Sequence, residues 1–130
     1  MIAYLSLQQV LAIHAFQIER YGGADGIRDR GGVEAAVARP TMTFGGEDLY
    51  PELADKAAAL MHSIVMNHHF VDGNKRVGAH AALLFLAANG FEPAFGPSEL
   101  TAVTLAVARG EVEAEALSIW FKQRIRQRQF

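Results

Sequence analysis

The sequence contains no cysteine, which excludes a disulfide scaffold, a thiolate zinc site and a cysteine nucleophile. It also lacks a long hydrophobic run: the uncharged stretch at 77–91 has 15 residues, fewer than the roughly 20 that a membrane span needs. The first 18 residues carry no ionised side chain, but they lack the basic leader of an export signal. We therefore expect a soluble, cytoplasmic protein without a membrane partner.

Charged residues are also few, at 20%, whereas apolar residues make up 51% of the 130 residues. A chain of this size and composition can bury a core without metals or disulfides, so we predict a single domain over residues 1–130. The formal net charge is -2, yet four of the twelve Lys and Arg residues lie in the last nine positions. No aromatic side chains are interleaved with these cations, so we expect them to complement the dipole of a C-terminal helix and not to bind nucleic acid.

Apolar residues recur at helical spacing along most of the chain, and no internal repeat is present. Ser6 and Gln9 form a capping box before the first helix, while prolines and glycines mark the limits of later ones. The predicted helices cover 7–19, 33–39, 51–67, 77–89, 99–109 and 113–127. Residues 20–32 and 41–50 are predicted as loops. The sequence thus predicts an all-α fold of about six helices with no assigned sheet.

Two adjacent cations, Lys75 and Arg76, open the apolar helix at 77–89, which we expect to be buried and central. The first turn of a helix already carries a positive partial charge, so these cations conflict with their position unless an anion lies there. Free backbone N–H groups, the two cations and the flexible Gly73 indicate a phosphate-binding pocket, and we hypothesise a nucleotide phosphate. The alternative is that both side chains extend into solvent and pair with distant acids.

Two neighbouring residues add candidate chemistry to this pocket. The carboxylate of Asp72 is the hard ligand that magnesium needs beside phosphate oxygens, although Asp-Gly pairs also form plain turns. His68 could act as a general base in phosphoryl or nucleotidyl transfer, although a lone histidine near a helix end is often structural. The histidine spacing does not fit HExxH, and neither a Walker loop nor GxGxxG is present.

The run HHFVDGNKR at 68–76 closely resembles the HxFxDxNKR signature of the death-on-curing (Doc) toxins, a branch of the Fic superfamily. Residues 20–29 match the form RYGGxxGxRD, and residues 82–90 match ALLFLxxNG. The resemblance implies a compact all-helical domain with the signature loop at the start of the buried central helix. It also implies a toxin that uses ATP and Mg²⁺ as a kinase and moves the γ-phosphate onto a threonine of translation elongation factor Tu.

The resemblance further suggests a role for each signature residue. His68 would be the catalytic base and Asp72 the magnesium ligand, while Phe70 matches a position that anchors the loop. The nucleotide-binding groups would be Gly73, Asn74, Lys75 and Arg76.

The wider Fic family transfers a nucleoside monophosphate and has the pattern HPFxxGNGRxxR. Here His69 replaces the proline, Lys75 the second glycine and Ala79 the second arginine. By resemblance, a lysine at this point goes with an ATP pose that presents the terminal phosphate. Nucleotidyl transfer is the alternative prediction, and a non-catalytic nucleotide-binding protein is a third.

The resemblance also implies a cognate antitoxin whose disordered tail folds against the toxin. We therefore expect exposed apolar surface on the lone chain. The segment 43–48 nearly matches the inhibitory S/TxxxEG/N helix of some Fic proteins, but it is rich in glycine. We expect it not to be helical, and we expect inhibition to come from the partner.

Overall fold

The computed structural model describes residues 1–129, which contain six α-helices and four short strands. The elements are α1 (Leu7–Tyr21), α2 (Arg30–Ala38), β1 (Thr43–Phe44), β2 (Glu47–Asp48), α3 (Leu53–Asn67), α4 (Asn74–Ala88), β3 (Phe91–Pro93), α5 (Pro97–Ala108), α6 (Ala114–Lys122) and β4 (Ile125–Gln127). A 3₁₀ turn at Arg39–Thr41 follows α2. The predicted helical fold is confirmed. Within the described residues, no helix combines the length and apolar character that a membrane span requires.

Helices α3 and α4 form the centre of the molecule, and most of their residues are buried. They approach closely because Gly78 of α4 has no side chain: a Cβ there would lie 2.6 Å from Cγ2 of Val65 and 3.2 Å from the carbonyl oxygen of Met61. Helix α1 covers α4, and α6 covers α3, with Val10 and Phe121 fully buried in the shared core. The signature loop therefore precedes a central helix, as predicted.

The start of α2 differs from the prediction. This helix begins at Arg30, not at Val33, because the carboxylate of Asp29 accepts the N–H of Gly32 at 2.9 Å and caps the first turn. Asp29 was not recognised as the N-cap from the sequence, because the two glycines that follow it are typical of a loop. The predicted loop at 20–32 is thus shorter, since α1 also extends to Tyr21.

Helix α4 also begins three residues earlier than predicted, at Asn74 and not at Val77. Gly73 is its N-cap, in a left-handed conformation with φ 81° and ψ 10°. Lys75 and Arg76 therefore lie within the first turn of the helix, as the conflict with its positive partial charge requires.

Two smaller boundary errors have the same origin in capping. Helix α3 begins at Leu53, two residues after Pro51, and α5 begins at Pro97 with Gly96 as its N-cap, and not at residue 99. Proline is well suited to the first helical position, which explains the earlier start of α5.

The predicted helix at 113–127 is wrong in its last part. Helix α6 ends at Lys122, and β4 at 125–127 pairs antiparallel with β3 at 91–93. The segment predicted as loop at 41–50 contains the hairpin of β1 and β2, with Gly45 and Gly46 at the turn, both at positive φ. It is not helical, as expected for a segment without the inhibitory helix.

The basic C-terminal cations contact both acidic side chains and carbonyl groups at helix ends. Of the four, only Lys122 lies in the last turn of α6. The acidic partners are Glu52 for Lys122 (2.9 Å), Glu99 for Arg124 (3.4 Å) and Glu92 for Arg126 (2.8 Å). Nη1 of Arg124 also donates to the carbonyl of Trp120 near the end of α6 at 3.2 Å, and Nη1 of Arg128 donates to the carbonyl of Ala87 at the end of α4 at 3.1 Å. The dipole interpretation therefore holds for Lys122 and Arg124 at α6, whereas Arg126 and Arg128 lie beyond that helix. The absence of nucleic-acid binding stays a prediction.

Candidate active site

A cleft of about 360 Å³ opens between the end of α3 and the first turn of α4. Besides Val71, its walls are the residues that the sequence singled out: His68, Asp72, Gly73, Asn74, Lys75 and Arg76. The cations are thus not isolated in solvent, because they line one cavity with the candidate base.

His68 is the residue at which α3 ends and the signature loop begins. It has left-handed backbone angles, φ 50° and ψ 49°, and no other non-glycine residue among 1–129 has a positive φ. Such a conformation costs about 1–2 kcal/mol outside glycine and clusters at functional sites. The sharp turn leaves the exposed imidazole in the wall of the cleft.

Phe70 anchors the loop below the cleft and is fully buried, as the resemblance implies. Its N–H donates to Oδ1 of Asn74 at 3.0 Å, and its carbonyl accepts from Nδ2 of Asn74 at 2.9 Å. Both polar atoms of the Asn74 side chain are therefore engaged within the loop. An amide group has two N–H donors, so a second N–H of Nδ2 and the backbone N–H of Asn74 stay available to a ligand, and the role of this residue in phosphate binding stays a prediction.

The carboxylate of Asp72 accepts the N–H of Ala24 at 3.1 Å and that of Gly73 at 3.2 Å. These two hydrogen bonds, helped by the charges of Arg76 and Lys75, lower the pKa of Asp72 below its usual value. The group is thus an ionised oxygen ligand at neutral pH, which fits Mg²⁺. Residues 1–129 contain no cluster of three His, Asp or Glu side chains that could hold a metal alone. A metal at Asp72 would take its other ligands from water and from the phosphates of a nucleotide.

The amino end of α4 has uncapped N–H groups. Its first backbone hydrogen bond joins Val77 N–H to the carbonyl of Gly73 at 2.9 Å, and no side chain caps the turn. The amide groups of residues 74–76 precede that bond and can donate to an anion, which the helix dipole also favours. Lys75 is exposed and Arg76 half-buried on the same cleft wall.

The glycine-rich loop after α1 hydrogen-bonds to two of the candidate ligand residues. Besides the bond from Ala24 to Asp72, Nη2 of Arg76 donates to the carbonyl of Gly22 at 2.9 Å. The guanidinium also lies 5.5 Å from the ring centroid of Tyr21. The loop therefore sets the resting positions of both a candidate metal ligand and a candidate phosphate ligand.

The other histidines near the site have different surroundings. His69 and His62 are largely enclosed, and burial lowers the pKa of each. The Nδ1 atom of His80 accepts from the Nε2 group of Gln17 at 3.0 Å, and burial lowers its pKa as well. In the part of the chain that the structure describes, none of these three histidines lines the cleft.

A second cavity, of about 480 Å³, lies between α1, α4 and α5 and shares Lys75 and Arg76 with the cleft. We call it the apolar groove. Its walls include Leu83, Leu100 and Leu105, the last of which is 39% exposed. Exposed apolar surface of this kind was expected of the lone chain.

The sequence did not single out His14 as part of the site. This residue is 3% exposed, and its Nε2 donates to the main-chain carbonyl of Asp72 at 3.0 Å. The available signal was its position on the apolar face of α1, because a buried polar group needs a partner.

Comparison with known proteins places these elements in a family context. A protein-family model described as "Fic/DOC family" matches residues 4–86 of the sequence, which include the cleft and the glycine-rich loop. The chain is 47% identical over 92 residues to "Toxin Doc" of Mycolicibacterium smegmatis (strain ATCC 700084 / mc(2)155), covering 71% of this chain and 68% of that protein. It is 32% identical over 115 residues to "Protein kinase doc" of Escherichia phage P1, covering 88% and 90%.

Proposed function

The chain belongs to the Fic/DOC family, and from this membership we propose that it is the toxin of a toxin–antitoxin pair and acts as a protein kinase. In this proposal it transfers the γ-phosphate of ATP to a threonine of translation elongation factor Tu in the cytoplasm. The observation that carries the proposal is the single cleft that joins His68, Asp72 and the uncapped first turn of α4. The names of the two relatives support a toxin and a kinase.

The amino end of α4 would bind the phosphates. Its free N–H groups, with Lys75 and Arg76, neutralise the negative charge of the triphosphate. Arg76 would exchange its bond to the carbonyl of Gly22 for a phosphate oxygen. Asp72 would hold Mg²⁺, which would supply positive charge against the charge that develops during transfer.

His68 would act as the general base. Its imidazole accepts the proton of the threonine hydroxyl, whose oxygen attacks the γ-phosphorus. The bond between this phosphorus and the β–γ bridging oxygen breaks, and ADP leaves. A base in this position contributes typically about 10²–10⁴-fold to the rate.

Two signature positions favour transfer of the terminal phosphate over transfer of the nucleotide. The exposed side chain of Lys75 lines the cleft where the nucleotidyl transferases have room beside a glycine. Ala79 stands at the second arginine position, and it is buried and cannot bind phosphate. Nucleotidyl transfer is the competing outcome that the experiment below distinguishes.

We further propose that the antitoxin covers the apolar groove with its disordered tail. The groove supplies apolar surface for coupled folding and binding, and its end is formed by Lys75 and Arg76. A segment that lies there would occupy these two cations and exclude ATP.

The proposal is tested by mass spectrometry of purified elongation factor Tu after incubation with Mg²⁺, ATP and either the wild type or His68→Ala. We expect the wild type to add the mass of one phosphate group to a threonine and the variant to add nothing. If elongation factor Tu instead gained the mass of one nucleoside monophosphate, the protein would be a nucleotidyl transferase and not a kinase. Nucleotide binding with no modification would favour a non-catalytic role.

A further inference from the structure

We propose that His14 is a positioning residue that delays the start of α4 by one residue, and thereby keeps the amide groups of its first turn free for phosphate. His14 lies on α1 and acts through the signature loop. The inference rests on the proposed function, because it explains how the same cleft is kept open for its ligand.

The local sequence favours a different start for α4. Aspartate is among the best N-cap residues, and Asp72 lies just before Gly73. With Asp72 as the N-cap, its carbonyl would accept the N–H of Arg76, and its carboxylate would accept N–H groups of the first turn. The helix would then cap itself and offer fewer donors to an anion.

Both polar groups of Asp72 are bonded to partners outside the first turn of α4. The main-chain carbonyl accepts from Nε2 of His14 at 3.0 Å, and the carboxylate accepts the N–H of Ala24 at 3.1 Å. The N-cap is therefore Gly73, whose left-handed conformation is accessible to glycine at little cost. Glycine has no side chain with which to occupy the free N–H groups.

His14 is held in a defined orientation. Its ring stacks on Phe70, with centroids 4.1 Å apart and planes 8° from parallel. Phe70 is itself bonded through its backbone to Asn74, the first residue of α4. Because a carbonyl oxygen only accepts, Nε2 of His14 carries the proton. The ring thus fixes the loop from α1 at both Phe70 and Asp72.

Two variants separate the hydrogen bond from the packing of the ring. His14→Phe keeps an aromatic ring against Phe70 and removes the donor, whereas His14→Gln offers an amide N–H in place of Nε2–H. His62→Phe is the matched control, because His62 is a partly enclosed histidine of α3 that lies outside the cleft. Amide hydrogen exchange at Arg76 reports whether its N–H has gained the Asp72 carbonyl. Titration with inorganic triphosphate reports the binding capacity of the cleft.

In His14→Phe we expect the exchange of the Arg76 amide to slow by about tenfold or more, because α4 extends by one residue. We expect the affinity for triphosphate to fall about tenfold, because one hydrogen bond to a charged ligand is lost. His14→Gln and His62→Phe should behave as the wild type. The proposal would be overturned if the Arg76 exchange rate and the triphosphate affinity of His14→Phe equalled those of the wild type. It would also be overturned if His14→Gln lacked the wild-type exchange rate and affinity.

The test does not depend on kinase activity or on the folding of one variant. If His14→Phe does not fold, long-range ¹⁵N NMR of the wild type decides: a proton on Nε2 of His14 supports the proposal, and a proton on Nδ1 alone overturns it. If the exchange pattern holds but no protein is phosphorylated, only the proposed function fails.

Discussion

The imidazole of His69 occupies the space that a side chain at Gly32 would need: a Cβ at Gly32 would lie 2.5 Å from Cε1 of the ring and 2.7 Å from Oδ2 of Asp29. Gly32 lies in the first turn of α2, and His69 follows the candidate base in the signature loop. The two elements can approach this closely only because residue 32 lacks a side chain.

Gly32→Ala should destabilise the protein by about 1–3 kcal/mol, the usual cost of overpacking, although alanine is the better helix former. Gly31→Ala is the matched control in the same turn, because its Cβ would meet Asp29 at an ordinary 3.6 Å. Gly31→Ala should be neutral or stabilising by up to about 1 kcal/mol. Urea unfolding measures both, and adding His69→Ala should restore most of the loss in Gly32→Ala. Equal stability of the two glycine variants would contradict this account.

Gly78→Ala should also destabilise the protein by about 1–3 kcal/mol, because it forces α3 and α4 apart. The contact with Val65 is with a side chain, whereas the contact with Met61 is with backbone that cannot rotate away. Urea unfolding of Gly78→Ala, alone and with Val65→Ala, is the measurement. We expect the second change to recover only part of the loss, and a full recovery would show that the backbone contact has no cost.

Helix limits could be predicted where the signal is local. The capping box of Ser6 and Gln9 is present as predicted. The start of α4 could not be predicted, because Asp72 is the better local cap, whereas in the structure its polar groups bond to the distant residues His14 and Ala24. Strand β4 was missed for the same reason, since it exists only through pairing with β3.

The signature was enough to predict which positions line the candidate site. It was not enough to predict which hydrogen bonds each side chain makes there. Nothing in the order of residues indicates that both polar atoms of Asn74 bind the backbone of Phe70. The burial of His14 beneath the loop is likewise a consequence of how α1 packs on α4.

The lowered pKa of Asp72 predicts how its charge contributes to stability with pH. A carboxyl whose pKa is lower in the folded state stabilises the protein above its unfolded pKa of about 3.9, and this contribution is lost as pH falls through the folded pKa. The difference in unfolding free energy between the wild type and Asp72→Asn should therefore be largest near neutral pH and shrink in acid. A difference that grows in acid would contradict the hydrogen bonds from Ala24 and Gly73.

Asp72→Asn should also abolish the gain in ATP affinity that Mg²⁺ provides.

The apolar groove predicts a variant that escapes its antitoxin. Leu105→Glu places a charge in the groove and should weaken binding of the cognate antitoxin about tenfold or more, while leaving ATP affinity unchanged. Ile119→Glu is the matched control, because Ile119 is 52% exposed on α6, away from the groove. Calorimetric titration measures both. If both variants bound the antitoxin equally well, the antitoxin would not bind in the apolar groove.

The central claim is that the amino end of α4 binds a triphosphate with its terminal phosphate directed to His68. It is tested most directly by incubating elongation factor Tu and the protein with ATP labelled on either the γ- or the α-phosphate. We predict that the γ label alone is transferred, and that His68→Ala transfers neither label. Transfer of the α label alone would contradict the claim.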